Sequence, residues 1–489
     1  MINKKGGFPM KKIAMLLLAA VLLTVLLPAA MAEEKPTLRV LGPYVGFDPN
    51  NDPTGQAIEE KTGYHVEYNM LPAENATENL LMRIASGESY DILRISEDQY
   101  QELLSRNALL PLDDLLAQYG SNLTTKIFDS AYSLTRQDGV TYGIPMMAER
   151  ASIFTGMVMR QDILDEIGMA VPTTPDELKA VLMAVKEKHP ELIPLLTCDE
   201  RKINTIASGF GFYFDWNDVD GSLKHYVEMP EYKAYLAYMA DLYANGLLDK
   251  DIAVNNGTTR TEKFSSDNAF AYYCTGWTDP TIVGYYENHP DEKNTLVYVA
   301  PLYDQNGKRG MMRQQALNNV SCIPVTAANP DEAVKFMNRK LDEDVFTYVT
   351  LGEKDVTFTV EENNRYAPIM PIFNEWRNNA WWYLNSFDMT CYGDMWMART
   401  RRTKAVGEIY DGLNQFAEDC AVDNPTDLCP SLKAVVENKN ALNTMVDDYV
   451  LQVIVGVKSV EDHDAFVQEW LAAGGQACED AYNEWYQSK

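Results

Sequence analysis

Hydrophobic and polar positions alternate along the chain between short runs typical of strands and longer runs typical of helices. From residue 37 the pattern predicts strands at 37–41, 65–71 and 90–95, with helices between them around 54–62 and 76–86. Strands and helices that alternate at this spacing form parallel sheets with helices packed outside. The chain therefore predicts an α/β fold.

Further along, two predicted strands at 141–145 and 153–159 follow each other closely, which indicates a passage from one lobe to another. Thr174 and Asn329 each precede a Pro-Asp-Glu sequence, and each is predicted to cap the start of a helix. The C-terminal quarter is rich in tryptophan and helical in pattern. Its last predicted helix, 460–473, ends at a pair of glycines.

The composition is that of a globular protein, and the charge narrows the range of partners. At about 100–200 residues per domain, 489 residues suffice for two lobes. Asp and Glu number 71 against 42 Lys and Arg, which gives a net charge of −29. Such a chain is repelled by nucleic acid phosphates and by anionic lipid surfaces. We therefore expect no nucleic-acid partner, and a polyanionic cargo is disfavoured for the same reason.

The first 32 residues have the three parts of a secretory signal peptide. Four lysines precede an apolar run at 13–27, and Ala30-Met31-Ala32 follows as a cleavage sequence. Because crossing a bilayer takes about 20 apolar residues, the shorter run disfavours the alternative of a membrane anchor. We expect cleavage after Ala32 and export to the periplasm or the extracellular space.

Seven cysteines follow the predicted signal peptide, in a compartment that permits disulfides. Cys420 and Cys429 flank a short loop with the turn sequence Asn424-Pro425, so these two form a possible disulfide; buried thiols are the alternative. No pair of cysteines has CxxC spacing, and the chain has only five histidines, so zinc ligation is not expected.

The sequence lacks the motifs of the common hydrolases and phosphate-binding enzymes. GxSxG, GxxxxGK[ST] and HExxH are all absent. The oxygen-rich segment 215–221 does not match the calcium loop and has no closing glutamate. We expect no metal and no cofactor. Glycoside cleavage depends on the distance between two carboxylates, which leaves a secreted glycan-active enzyme as an alternative hypothesis.

Aromatic and acidic side chains follow the ends of predicted strands. In open α/β sheets the ligand crevice lies beyond the carboxyl ends of the strands, so these loops are expected to converge on one rim. Flat aromatic faces with planar acceptors suit the faces and hydroxyls of sugar rings, whereas packing under a loop is the alternative for any single aromatic. The candidates on these loops are Tyr44, Asp48, Glu97, Asp98 and Trp277.

Several stretches, in this order and spacing, carry a family resemblance. They are the helix-to-strand step at 81–92, Gly143-Ile144-Pro145 followed by 158–168 and 172–178, the strand 270–277 with a terminal tryptophan, and the closing helix 464–475. Together they resemble the extracellular solute-binding proteins of ABC importers, in the family that includes maltose-binding protein, and most of all its longer lipoprotein-type sugar-binding relatives.

The resemblance implies a two-lobed periplasmic-binding-protein fold whose lobes are discontinuous in sequence and joined by a hinge. We expect lobe 1 to comprise residues 33–147 plus about 267–320. Lobe 2 would comprise 148–266 plus about 321–489, with its last helices packing partly on lobe 1. About three crossings would join the lobes. They are expected near 146–152, 261–267 and 318–323.

The function implied by the resemblance is that of an exported substrate-binding component of an ABC transporter. It would capture a carbohydrate, expected to be an oligosaccharide, by hinge closure and deliver it, as a monomer, to permease subunits with their ATPase. The expected stacking faces are Trp277, Tyr44, Trp216 and Trp381, and the expected hydroxyl acceptors are Asp48, Glu97, Asp98 and Glu149. Trp277 rests on the resemblance; the others rest on chemistry and loop position.

One departure from the family concerns the anchor. The longer relatives carry a lipidated cysteine directly after the signal peptide, where this chain has Glu33 and Glu34. A protein free of a lipid anchor is therefore expected. A non-transporting sensor or adhesion module is a further alternative, and peptides or polyanions are the alternative cargoes.

Overall fold

The computed structural model describes Met1 and residues 35–147, 155–197, 201–275, 280–289, 296–312, 317–361, 364–385 and 389–488. Two separate sheets with their own hydrophobic cores form two lobes, as predicted for an α/β fold of this kind. The predicted signal peptide, residues 1–32, lies outside the described residues apart from Met1.

The strands are numbered in chain order. They are β1 (Leu38–Gly42), β2 (Val66–Met70), β3 (Ile92–Ile95), β4 (Arg136–Gln137), β5 (Val140–Thr141), β6 (Gly143–Met147), β7 (Thr155–Arg160), β8 (Ile193–Leu196), β9 (Trp216–Val219), β10 (Ser222–His225), β11 (Ala269–Thr275), β12 (Leu296–Val299), β13 (Met311–Met312), β14 (Leu317–Cys322), β15 (Phe358–Val360), β16 (Tyr366–Pro368) and β17 (Ala421–Val422).

The helices are numbered in the same way. They are α1 (Pro53–Thr62), α2 (Ala76–Ala85), α3 (Glu97–Ser105), α4 (Asp113–Tyr119), α5 (Ser121–Lys126), α6 (Gln161–Ile167), α7 (Pro175–Lys188), α8 (Asn204–Ser208), α9 (Pro230–Ala244), α10 (Gly257–Ser265), α11 (Pro280–Asn288), α12 (Pro330–Arg339), α13 (Glu343–Thr350), α14 (Ile372–Arg377), α15 (Ala380–Tyr383), α16 (Met389–Met397), α17 (Lys404–Asn414), α18 (Ala417–Cys420), α19 (Lys433–Ile454), α20 (His463–Trp470) and α21 (Gln476–Tyr486). Within the described ranges, no helix combines the length and the apolar character that a membrane span requires.

Lobe 1 is built on a five-stranded sheet in the order β2-β1-β3-β14-β6. The first three strands are parallel, as their alternation with helices predicted. β14 arrives from much later in the chain and runs antiparallel to both β3 and β6. The Asp52 carboxylate accepts the Thr54 backbone N–H at 2.8 Å and so caps α1. The strands and helices predicted between residues 37 and 95 are confirmed.

Lobe 2 is built on a four-stranded sheet in the order β12-β7-β11-β8. Ala271 of β11 lies opposite Met159 on one side and Leu195 on the other, so this strand is central to lobe 2. The assignment of residues 267–320 to lobe 1 is therefore wrong for β11 and β12. Only β14, at the end of that range, joins the lobe 1 sheet.

The later part of the chain is also divided differently from the prediction. Helix α12 buries Ala333, Val334, Phe336 and Met337 in the core of lobe 1, and that core extends as far as Tyr410. The closing helices instead pack in the core of lobe 2. Assigning residues 321–489 to lobe 2 is thus wrong for the stretch up to Tyr410. The packing of the last helices partly on lobe 1 stays a prediction.

The chain crosses between the lobes at places that differ in part from the prediction. The first crossing joins β6 to β7 through residues 148–154, which lie outside the described residues. The others lie between β12 and β14 and between α17 and α19. Residues 261–267 belong to lobe 2 and residues 318–323 to lobe 1, so those two predicted crossings are wrong.

Two crossings pair with each other and form a ribbon that we call the hinge ribbon, β13 with β17. Met311 lies opposite Ala421 in this parallel pair. Met311, Tyr298 and Cys420 form a small buried cluster beside it. The possible Cys420–Cys429 disulfide is not formed in this structure. Burial raises the pKa of the Cys420 thiol to about 11.

The chain does not end at the predicted final helix. The helical path runs through a kink at Gly474, where φ is 131°, and continues as α21. Glycine permits this backbone angle because it has no Cβ. The glycine pair therefore bends the helical segment instead of ending it.

Helix α15 packs against the edge of the lobe 1 sheet through Trp382. This ring is buried, and its Nε1 donates to the Pro43 carbonyl at 3.2 Å. It packs edge-on against Tyr68 of β2, with ring centroids 5.5 Å apart. A Cβ placed on Gly42 would lie 2.7 Å from Cζ2 of Trp382, so the indole occupies the space that a side chain on β1 would need.

We predict that Gly42→Ala lowers the free energy of unfolding by about 1–3 kcal/mol, because the added methyl group collides with a buried indole. Gly46→Ala is the matched control, since a Cβ there meets nothing within 4 Å. Urea unfolding of the two variants measures the difference. Equal stability of the two variants would contradict this packing.

Candidate ligand site between the lobes

One edge of the lobe 1 sheet faces the crossings to lobe 2. Ile95, at the carboxyl end of β3, lies opposite Val320 of β14, and Met147 at the end of β6 lies opposite Leu317. The chain leaves for lobe 2 directly after Met147. The loops after β1 and β3 therefore emerge at this same edge, where an open α/β sheet places its ligands.

Lobe 2 presents a corresponding edge. β8 and β11 are parallel, and the last residue of β11 lies opposite Thr155, where the first crossing arrives. Trp277 and Glu149 were predicted as ligand contacts, and both lie outside the described residues. The sequence prediction of one common rim is corrected here, because the strand before Trp277 belongs to the lobe 2 sheet.

Arg94 is the charged residue of the buried strand β3. Its side chain is 4% exposed, and Nη2 donates to the Trp381 carbonyl at 3.1 Å and to Met146 Sδ at 3.2 Å. Nε and Nη1 have no hydrogen-bond acceptor among the described residues. Burial lowers the pKa of the guanidinium to about 9, which still leaves it protonated at neutral pH.

Trp381 lies beside Arg94 and is 38% exposed. The guanidinium carbon is 5.8 Å from the centroid of its ring and 6.0 Å from that of Trp382. Because Trp382 is held against Gly42, the preceding residue is held at the edge of lobe 1. A partly exposed aromatic ring thus lies beside buried N–H donors that have no acceptor among the described residues, and both groups are of the types that bind sugars.

The two predicted ligand contacts after β1, Tyr44 and Asp48, lie on the same edge. They differ in whether the side chain is already bonded within the protein. Tyr44 is 56% exposed. Asp48 is exposed too, and its carboxylate accepts hydrogen bonds from the Asn50 backbone N–H and the Asn51 side chain, which together lower its pKa. Asp48 is therefore already engaged within its own turn, whereas the Tyr44 ring is open to a ligand.

Glu97 and Asp98 begin α3, after β3. Burial raises the pKa of Glu97, and the nearby charge of Asp98 raises it further. The backbone N–H of Ser431 and the ammonium group of Lys439 act in the opposite direction. Ser431 lies just before α19 and Lys439 lies in its first half, and α19 packs in the core of lobe 2, so Glu97 lies where the two lobes meet. Asp98 is exposed.

Trp216 does not offer a face at this edge. It lies in the β9–β10 hairpin of lobe 2 and is 8% exposed. Its ring packs on Tyr482, His225 and Trp470, with centroids 4.8, 5.1 and 6.3 Å away. The stacking role predicted for Trp216 is therefore corrected to a packing role, because a distant C-terminal helix covers the ring.

The oxygen-rich segment 215–221 is occupied by internal contacts. Asp215 pairs with Lys202 at 2.9 Å, and Asp218 accepts from the Gly221 backbone N–H at 2.8 Å and from the Tyr486 hydroxyl at 2.8 Å. Throughout the described ranges no three His, Cys, Asp or Glu side chains are grouped closely enough to hold a metal ion.

Sequence reasoning missed Arg94 and Met146 as parts of the edge. Arg94 carried a usable signal, because it is a single charge in the apolar run Ile92-Leu93-Arg94-Ile95, and a charge in a buried strand requires a partner. Met146 carried none, since a methionine in an apolar strand is an ordinary core residue.

Comparison with known proteins places the chain in a family. Residues 54–352 match the model described as bacterial extracellular solute-binding protein. The chain is 23% identical over 459 residues to the polygalacturonan/rhamnogalacturonan-binding protein YtcQ of Bacillus subtilis, covering 89% of this chain and 88% of that one. It is 26% identical over 287 residues to the fructooligosaccharide ABC transporter substrate-binding protein FusA of Streptococcus pneumoniae, 53% of each chain.

A solved structure supports the fold. An HMO-binding, ABC-transporter-associated solute-binding protein from Bifidobacterium longum infantis superposes with a TM-score of 0.72 at 17% identity, over 92% of this chain and 98% of the other. At this identity the likeness concerns the fold alone.

We predict stability effects of very different size for the two adjacent tryptophans of α15. Trp382→Ala should lower the free energy of unfolding by about 3–5 kcal/mol, because it empties a buried site. Trp381→Ala should change it by about 1 kcal/mol or less, because that ring is half-exposed. Thermal unfolding of both variants is the measurement. Comparable losses would show that Trp381 is a core residue and not an exposed face.

Proposed function

The chain belongs to the family of bacterial extracellular solute-binding proteins, and from that premise we propose that it captures an oligosaccharide between its lobes and delivers it to the permease of an ABC importer. The observation that carries this proposal is the exposed face of Trp381 beside the unused N–H groups of Arg94. A sugar ring stacks on such a face while its oxygens accept from such donors.

The relatives support a carbohydrate as the ligand. YtcQ is named for binding polygalacturonan and rhamnogalacturonan, and FusA for fructooligosaccharide. The two names differ in the sugar unit. The proposal therefore names the ligand only as a carbohydrate and does not name the sugar.

The proposed contacts come from both sides of the cleft. Tyr44, Glu97 and Asp98 lie at the lobe 1 edge, with Asp48 available where its turn leaves an oxygen lone pair free. Trp277 and Glu149 remain proposed contacts on segments outside the described residues. A ligand that touches both edges at once stabilises the closed arrangement, which the permease with its ATPase would recognise.

The hinge ribbon offers a physical means of closure. Two crossings are tied by only a short parallel pair, Met311–Met312 with Ala421–Val422. The Arg309 guanidinium covers the Phe416 ring, 5.1 Å from its centroid, next to this pair. A short ribbon of this kind permits rotation of one lobe against the other while the two cores stay intact.

Members of this family are extracellular binding proteins, so the protein is exported. We propose that residues 1–32 are removed as a signal peptide and that the released protein acts as a monomer without a lipid anchor. The ligand is held and handed on chemically unchanged. Mass measurement of the exported protein, expected to begin at Glu33, tests the cleavage.

We predict that at least one member of an oligosaccharide panel raises the unfolding temperature of the purified exported protein. A ligand bound only by the folded state stabilises it by about 2.7 kcal/mol at a hundredfold excess over Kd. Mass spectrometry should recover that sugar intact, and Trp381→Ala should abolish the shift.

The outcomes separate the competing functions. A cleaved sugar would identify a glycan-active enzyme, and no shift with any sugar would contradict carbohydrate binding. Binding of a sugar without capture of permease subunits from detergent-solubilised membranes of the source cell would indicate a sensor or adhesion module.

A further inference from the structure

We propose that the carbohydrate is acidic, with the carboxylate of a uronic acid unit bound by the unused N–H groups of Arg94 and its ring placed against Trp381. This inference rests on the proposed function and names the class of sugar. It is argued from the charge, burial and hydrogen bonding of Arg94.

The first step is the missing counter-charge at Arg94. Three of its N–H groups, one on Nε and two on Nη1, have no acceptor among the described residues. Its two bonded neighbours, the Trp381 carbonyl and Met146 Sδ, are both uncharged. A buried charge without a partner is costly, and a ligand that supplies the missing group would relieve that cost.

The second step is that several other cations of the chain do have acidic partners. Lys263 lies 2.6 Å from Asp249, Arg160 lies 3.2 Å from Asp267, and Lys224 pairs with Glu479. With 71 acidic residues available, a carboxylate near Arg94 would be easy to provide. Its absence among the described residues leaves a place for an acid from outside.

The third step is a second buried cation in the same region. Lys340 is 7% exposed and donates to the Tyr383 carbonyl at 2.7 Å, again an uncharged acceptor. Burial and then the charge of Arg94 lower its pKa to about 7. Two basic side chains whose hydrogen-bond partners are uncharged thus lie beneath α15, in a protein whose net charge is −29.

The net negative charge disfavours a polyanionic cargo, but the buried positive charge of Arg94 acts on a bound ligand at shorter range. Surface charges are screened over about 10 Å at 0.1 M salt, whereas a buried group acts at close range. A neutral sugar hydroxyl can accept from Arg94 but leaves its charge uncompensated. A carboxylate accepts the hydrogen bonds and also compensates the charge, and its planar shape matches that of the guanidinium.

Access to this site runs along Trp381. Arg94 is one residue from the carboxyl end of β3, and Met146 is one residue from the end of β6, where the chain leaves for lobe 2. The guanidinium carbon lies 5.8 Å from the centroid of the Trp381 ring, which is 38% exposed, so this ring is the part of the proposed site that a ligand meets first. The Nε and Nη1 atoms of Arg94 are buried, so the proposal requires side chains at this edge to shift and admit the carboxylate.

The test compares each acid with its own neutral form. Trisaccharides of galacturonic, glucuronic, mannuronic and guluronic acid, each beside its methyl ester, are titrated calorimetrically into the exported protein. We expect at least one acid to bind about ten- to a hundredfold more tightly than its ester, the range for a hydrogen bond to a charged group. In Arg94→Met that preference should disappear, and Arg94→Lys should keep part of it.

Arg377→Met is the matched control. Arg377 is also buried in lobe 1, but its Nε and Nη1 donate to the carbonyls of Tyr348 and Trp376, both at 2.8 Å. This variant should keep the preference for the acid while unfolding at a lower temperature. Ligand-free Arg94→Met should instead unfold at the same or a higher temperature than the wild type, because it loses an uncompensated charge.

The outcomes are distinguishable from failure of the proposed function. If neutral oligosaccharides bind and no acid is preferred over its ester, the acidic class is overturned and carbohydrate binding stands. If Arg94→Met keeps the preference, or loses stability as Arg377→Met does, Arg94 is a packing residue and the proposal is overturned. If no sugar binds at all, the proposed function fails and this inference fails with it.

Discussion

The packing of Trp382 against the bare backbone of Gly42 is the contact on which the candidate site depends. It fixes α15, a helix from late in the chain, on the edge of a sheet built largely from the first 147 residues. That contact, together with the hydrogen bond from Trp382 Nε1 to the Pro43 carbonyl, holds Trp381 where its own carbonyl accepts from Arg94.

The site also shows how binding and stability oppose each other. Arg94 keeps a positive charge in a buried position with only uncharged hydrogen-bond partners, and such burial is expected to lower the stability of the ligand-free protein. The same charge gives a ligand an interaction that water cannot supply at that position. A binding protein that must release its ligand benefits from holding this group unpaired until the ligand arrives, because ligand binding then relieves a cost that folding imposed.

Local structure was predictable from the sequence, whereas the assignment of segments to lobes was not. The alternation of apolar runs predicted β1 to β3 and the helices between them, because periodicity is a local property. Whether β11 joins the first sheet or the second depends on its neighbours, and the apolar run alone is compatible with either. The family resemblance predicted two discontinuous lobes but gave no register, so two of the three crossings were misplaced.

In the candidate site, too, residue types were visible in the sequence, whereas their exposure and their partners depend on the folded chain. Trp216 and Trp381 are equivalent as residue types, and only the distant helices that cover one and leave the other half-exposed distinguish them. Arg94 could have been noticed as the one charge in its strand, but its lack of an acidic partner is a property of the folded chain.

The most direct measurement is a crystal structure of the exported protein with the tightest-binding acidic trisaccharide. A carboxylate oxygen of the sugar is expected within about 3.2 Å of Arg94 Nε or Nη1, with a sugar ring against Trp381 and residues of lobe 2 on its other side. A sugar bound away from the edge between the lobes, or one lying there with Arg94 still bonded only to Trp381 and Met146, would contradict this description of the site.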